Sequence, residues 1–178
     1  LFQPTNRCND MLSLMKIKVV FVLLNLISFT PWTNGEAERL KANEAAISCY
    51  ESQNALKIST EPCETALQLI KDPNERALIL SNLAIIQAKL GQMPGAQISI
   101  TEALKLAPRN PSIYINLGNL RIRQKLFKEA IDAFDLASQL GARRDAALYF
   151  NKSIAQRGLG SYFDAQESYI QYKLLTDE

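Results

Sequence analysis

Histidine is absent from all 178 residues. That removes the commonest general base and the commonest metal ligand. Ser-His-Asp and Cys-His arrangements of catalytic groups go with it. No glycine-rich phosphate loop of the P-loop type occurs. Paired carboxylates such as Asp132 and Asp135 sit at polar positions of a helical pattern, where an exposed helix face accounts for them. These gaps point away from an enzyme. No catalytic residue, metal, cofactor or small-molecule substrate is expected. An apolar run of roughly 20 residues, the length needed to cross a bilayer, is also missing; residues 19–29 form a run of only 11.

That short run belongs to a recognisable layout. Lys16 and Lys18 precede it, Pro31 follows it, and small residues stand at Thr33, Gly35 and Ala37. A positive start, a short apolar stretch and small residues near a cleavage point describe a secretory signal peptide. Residues 1–37 are therefore read as a leader, cleaved after Gly35 or Ala37, with an uncleaved anchor as the alternative. Position 1 is Leu, and Met11 or Met15 is a candidate start. The expected location is the periplasm or the extracellular space.

Removing the leader changes two balances. From Glu36 onward 17 basic residues face 17 acidic ones, so the remaining chain is neutral. It lacks the basic face that nucleic-acid binding needs, and no nucleic-acid partner is expected. Of the 3 cysteines, Cys8 falls in the leader. Cys49 and Cys63 remain, and in an exported chain such a pair suggests a disulfide. Two buried thiols are the alternative.

The whole chain is 47% hydrophobic and 21% charged, a globular composition. It repeats. "NLAIIQAKLG" at residues 82–91 returns as "NLGNLRIRQK" at 116–125, 34 residues on. Three units follow from this register: 77–110, 111–144 and 146–178, with Asp145 as one extra residue. Each splits into two apolar-periodic stretches of about 14 residues around a tight turn. Gly91, residues 125–126 and Gly160 mark the turns. Pro94 opens a second helix, Pro108 closes it and Pro111 opens the next unit. Repetition at this period implies a solenoid, because one helix pair cannot bury its apolar face alone. Residues 38–76 read as a degenerate first pair, with Ser59 or Thr60 as the cap of its second helix and Cys49 and Cys63 on antiparallel neighbours.

The pattern resembles the tetratricopeptide repeat. Unit two carries Tyr114, Leu117, Gly118, Phe127, Ala130, Phe134 and Ala137. Unit one carries Leu80, Leu83, Ala84, Gly91, Ala96, Ile100, Ala103 and Pro108, and unit three carries Tyr149, Ser153, Gly160, Tyr162, Ala165 and Tyr169. Lys152 and Tyr172 depart from the pattern, standing where Leu and Ala are usual. The resemblance implies an all-α, right-handed solenoid of antiparallel helix pairs, with three full repeats after the degenerate pair.

It also implies a concave groove lined by the first helix of each pair. In this chain that places Asn82, Ile85, Ala88 and Lys89 in the groove, then Asn116, Asn119, Ile122 and Arg123, then Asn151, Ile154 and Arg157. A ladder of Asn side chains, each both donor and acceptor, suits the main chain of an extended peptide. A solvent-facing helix-start pattern is the alternative. The basic residues suit an acidic segment or a C-terminal carboxylate; a solvated face is their alternative. The carboxylate-clamping set of some family members is not reproduced, since Ser81 and Ile85 stand where Lys and Asn would be. The expected role is an exported scaffold or accessory subunit for another protein. The rival is a self-associating envelope protein, a homodimer through Ile170 and Leu174 of the last helix, which share a face four residues apart.

Overall fold

The computed structural model describes residues 34–55 and 58–177; residues 1–33, the bulk of the expected leader, lie outside it. Eight α-helices are found among the described residues: α1 Asn34–Ser52, α2 Glu61–Leu69, α3 Pro73–Lys89, α4 Met93–Leu106, α5 Pro111–Arg123, α6 Phe127–Ala137, α7 Ala146–Leu159 and α8 Tyr162–Thr176. None is long and apolar enough to cross a membrane. From Glu38 onward they make one compact unit. The helices pair as α3 with α4, α5 with α6 and α7 with α8, and α3, α5 and α7 also touch in sequence. The fold is an all-helical repeat solenoid.

The first helix of each of the three later pairs starts on an acidic or amide cap. The Asp72 carboxylate accepts from Asn74 N and Glu75 N, both at 2.9 Å. Asn110 Oδ1 accepts from Ser112 N at 3.0 Å, and Asp145 Oδ1 from Leu148 N at 3.1 Å. Each satisfies helix donors that have no carbonyl partner within the helix. Pro73 and Pro111 follow two of these caps at the position where a missing N–H costs nothing. Asp145, extra by sequence register, is thus a cap. The additional residue is absorbed just before it, where α6 widens into a π turn over Ser138–Ala142 and Gly141 takes φ 119°.

The turns inside the three pairs share one construction. Gly91, Lys125 and Gly160 have φ of 77°, 61° and 87°. The next residue's N–H reaches back five positions: Gln92 N to Gln87 O, Leu126 N to Arg121 O and Ser161 N to Gln156 O, at 2.8 to 2.9 Å. This left-handed helix end suits glycine. Unit two makes the same turn with a lysine.

At the degenerate pair, Cys49 on α1 and Cys63 on α2 form a disulfide with a Cα–Cα distance of 4.5 Å. Ser59 Oγ accepts from Glu61 N at 3.2 Å, while Thr60 stands at the cap position without a side-chain bond. Arg76, on α3, donates to the carbonyls of Leu67 and Ile70 at the end of α2. Three cores run along the stack. One holds Cys49, Cys63, Ala66, Ile79 and Ile86; the next Ala84, Ala96, Ile100, Ile113 and Leu120; the third Ala130, Phe134, Leu148 and Ala155. Each joins one pair to the first helix of the next.

Candidate groove on the first helices

The Asn residues recur because they occupy one register position of α3, α5 and α7. Asn82, Asn116 and Asn151 are each half-buried. Asn116 Nδ2 donates to Ser81 Oγ at 2.7 Å and lies 3.4 Å from Asn82 Oδ1. The middle rung of the ladder is therefore engaged with the previous unit. Ser81 is fully buried, so this bond satisfies a hydroxyl that has left water. At the place matching Ser81, the unit before Asn151 has Ile115, which offers no hydroxyl.

The other expected groove residues divide by burial. Ile85 is buried, Asn119 and Ile122 are half-buried, and Ile154 is exposed. Ala88 is buried. Among the basic residues, Lys89 is half-buried and its Nζ donates to the Gln53 carbonyl after α1. Arg123 and Arg157 are exposed. Sequence reasoning passed over Arg121, whose guanidinium binds Gln97 Oε1 at 2.7 Å, Gln124 Oε1 at 2.6 Å and Glu129 at 3.1 Å, joining α4, α5 and α6. Only its partners, spread over 33 positions from residue 97 to 129, reveal that role.

Two open clefts lie on unit three. One, of about 310 Å³, is lined by Tyr149, Lys152, Gln156, Asp164, Glu167, Ser168 and Gln171. Lys152, the departure from the repeat pattern, is held there by Asp135 of α6 at 2.5 Å. Gln156 is buried and its Oε1 has no protein partner. The other cleft, of about 320 Å³, is lined by Arg157, Tyr162, Ala165, Gln166 and Tyr169. Tyr172 stacks at 5.1 Å from Phe150 and 5.6 Å from Tyr169. Tyr169 remains 42% exposed, and Ile170 and Leu174 are exposed at 49% and 59%. Among the described residues no group of His, Cys, Asp or Glu could hold a metal ion.

No family model matches the chain. Over 98 residues it is 28% identical to a Haemophilus influenzae protein named Lipoprotein NlpI homolog, covering 55% of this chain and 31% of that one. The chain thus spans about a third of that relative's length. Among solved structures it is similar to MamA protein, with a TM-score of 0.54 at 16% identity, over 78% of this chain and 77% of the other. At that identity the likeness is one of fold. Capped helix pairs in a fixed register, small residues at the crossings and the match to MamA together show an all-helical repeat solenoid.

Proposed function

We propose that the chain is an exported, non-catalytic scaffold that holds an extended segment of another protein along α3, α5 and α7. The observation that carries this reading is the return of Asn at positions 82, 116 and 151, on three helices that neighbour one another. Amide side chains at a fixed spacing can pair with peptide main chain without reading its side chains. Asn151 and the exposed Ile154 and Arg157 leave the unit-three end of this face the most open to a ligand. Export is supported by the leader pattern and by the name of the lipoprotein relative. The three full repeats of this reading run over 77–110, 111–144 and 146–178, after the degenerate pair at 38–76.

The test is titration of the full chain with peptides selected on it from a random library. Asn151→Ala should weaken binding by about 5- to 30-fold, the loss of one paired main-chain contact at about 1 to 2 kcal/mol. Unchanged affinity in Asn82, Asn116 and Asn151 single and triple Ala variants rejects the ladder.

A second reading has one observation in its favour. Phe163, Ile170 and Leu174 lie on one stripe of α8 and are exposed at 85%, 49% and 59%. Such a stripe on α8 suits a homodimer contact. Ile170→Glu with Leu174→Glu should then convert a dimer into a folded monomer, and a wild type that is not a dimer rejects it.

A further inference from the structure

Each full unit carries an apolar pair seven residues apart on its first helix: Ile79 and Ile86, Ile113 and Leu120, Leu148 and Ala155. All six are buried, none more than 4% exposed. Each pair packs into the core of the pair of helices before it. Three residues after the first member stands the recurrent Asn. Helix α1 has the same signature: Leu40 and Ile47, with Asn43 three after Leu40. It is a first helix of the same series. Yet Leu40 and Ile47 are 43% and 59% exposed.

The α7–α8 pair carries the complement. Unit two receives Leu148 and Ala155 in the core that contains Ile115, Ala130 and Phe134. Thirty-five residues on, these positions are Phe150, Ala165 and Tyr169. Ile115 and Phe134 are 8% and 0% exposed, whereas Phe150 and Tyr169 are 40% and 42% exposed. Phe127 occupies the space beside Gly158 on the next helix, and its counterpart Tyr162 is 71% exposed. Tyr162, Ala165 and Tyr169 border the cleft of about 320 Å³.

We propose that the chain associates head to tail with further copies of itself, Leu40 and Ile47 of one copy seating on Phe150, Tyr162 and Tyr169 of the next. The occupant follows from the two exposed faces: α1 presents the pair that every internal joint buries, and α7 with α8 presents the face whose counterpart in unit two receives such a pair. Charge agrees. Glu44 and Glu51 are exposed and share a side of α1 with Ile47, three and four residues away. Arg157 is exposed in the receiving cleft. The joint is looser than the internal ones, because Tyr50 stands on α1 where α7 has Gly158. A heterologous contact of this kind is not limited to a dimer: it gives a ring where its rotation closes and an open series where it does not. The inference rests on the repeat register and is independent of the peptide-groove reading.

Sedimentation velocity of the full chain tests it. Wild type should form a concentration-dependent series that passes beyond the dimer. Ile47→Glu and Tyr169→Glu should each be monomeric alone. Mixed in equal amounts they should form a 1:1 dimer and nothing larger, because each retains the face the other has lost. Should Tyr169→Glu lose helical signal, Tyr162→Glu replaces it at a more exposed position. Ile170→Glu with Leu174→Glu should leave the series unchanged. A monomeric wild type, an association insensitive to Ile47→Glu, or a mixture that does not pair overturns the proposal.

Discussion

The ring of Phe134 lies 2.5 Å from where a Cβ on Gly118 would stand, so α5 and α6 cross at a distance that only glycine permits. Unit one has Ala84 and Ile100 at these two positions. The repeat has exchanged a small residue with a medium one for no side chain with a large one. Gly118→Ala should therefore cost about 1 to 3 kcal/mol through overpacking. Adding Phe134→Ile should recover much of that loss. A double-mutant cycle by urea unfolding measures the coupling; additive effects would contradict the exchange.

Lys125 holds a left-handed conformation at φ 61°, where units one and three have Gly91 and Gly160. A side chain there costs about 1 to 2 kcal/mol. Part of the gain from removing it is offset by the greater freedom of an unfolded glycine, about 0.5 to 1 kcal/mol. Lys125→Gly should stabilise the chain by about 0.5 to 1 kcal/mol, and Gly91→Ala or Gly160→Ala should destabilise it. Thermal unfolding of the three variants checks the signs.

The Cys49–Cys63 bridge closes a loop of 14 residues across the first pair. By the chain-entropy model reduction should lower stability by up to about 3 kcal/mol. Intact mass without reductant should show no free thiol in the exported protein. Quantitative labelling of both cysteines would remove this bridge from the account.

Asn116 binds the buried Ser81 hydroxyl across a unit boundary. Asn116→Ala should cost about 1 kcal/mol in stability even without ligand. Asn151→Ala should cost less, since Ile115 offers no hydroxyl at the matching place. Comparing the two by chemical denaturation separates this structural share from any effect on peptide binding.

Export makes its own prediction. Edman sequencing of the chain recovered from outside the cytoplasm should begin at Glu36 or Glu38. Recovery of residues 16–29 on membrane-bound protein would replace cleavage with anchoring.

The repeat, its helical pairs and the places of its turns and prolines were legible in the amino-acid order, because each depends on neighbours within one or two helical turns. Asn82, Asn116 and Asn151 could be picked out as a ladder for the same reason: a register position fixes a helix face. Which partner each side chain takes is a different matter. Asn116 turns to Ser81, Lys89 to the Gln53 carbonyl and Lys152 to Asp135, and each bond spans 17 to 36 positions. Such choices depend on how closely two helices approach, as where Phe134 packs on Gly118 and Phe127 on Gly158. The extra residue before unit three looked like an insertion at Asp145; folding widens the end of α6 instead, leaving Asp145 free to cap α7. Local periodicity determined the solenoid. Only the stacked helices determined which Asn is already committed and which apolar side chains of α1 and α8 stay exposed.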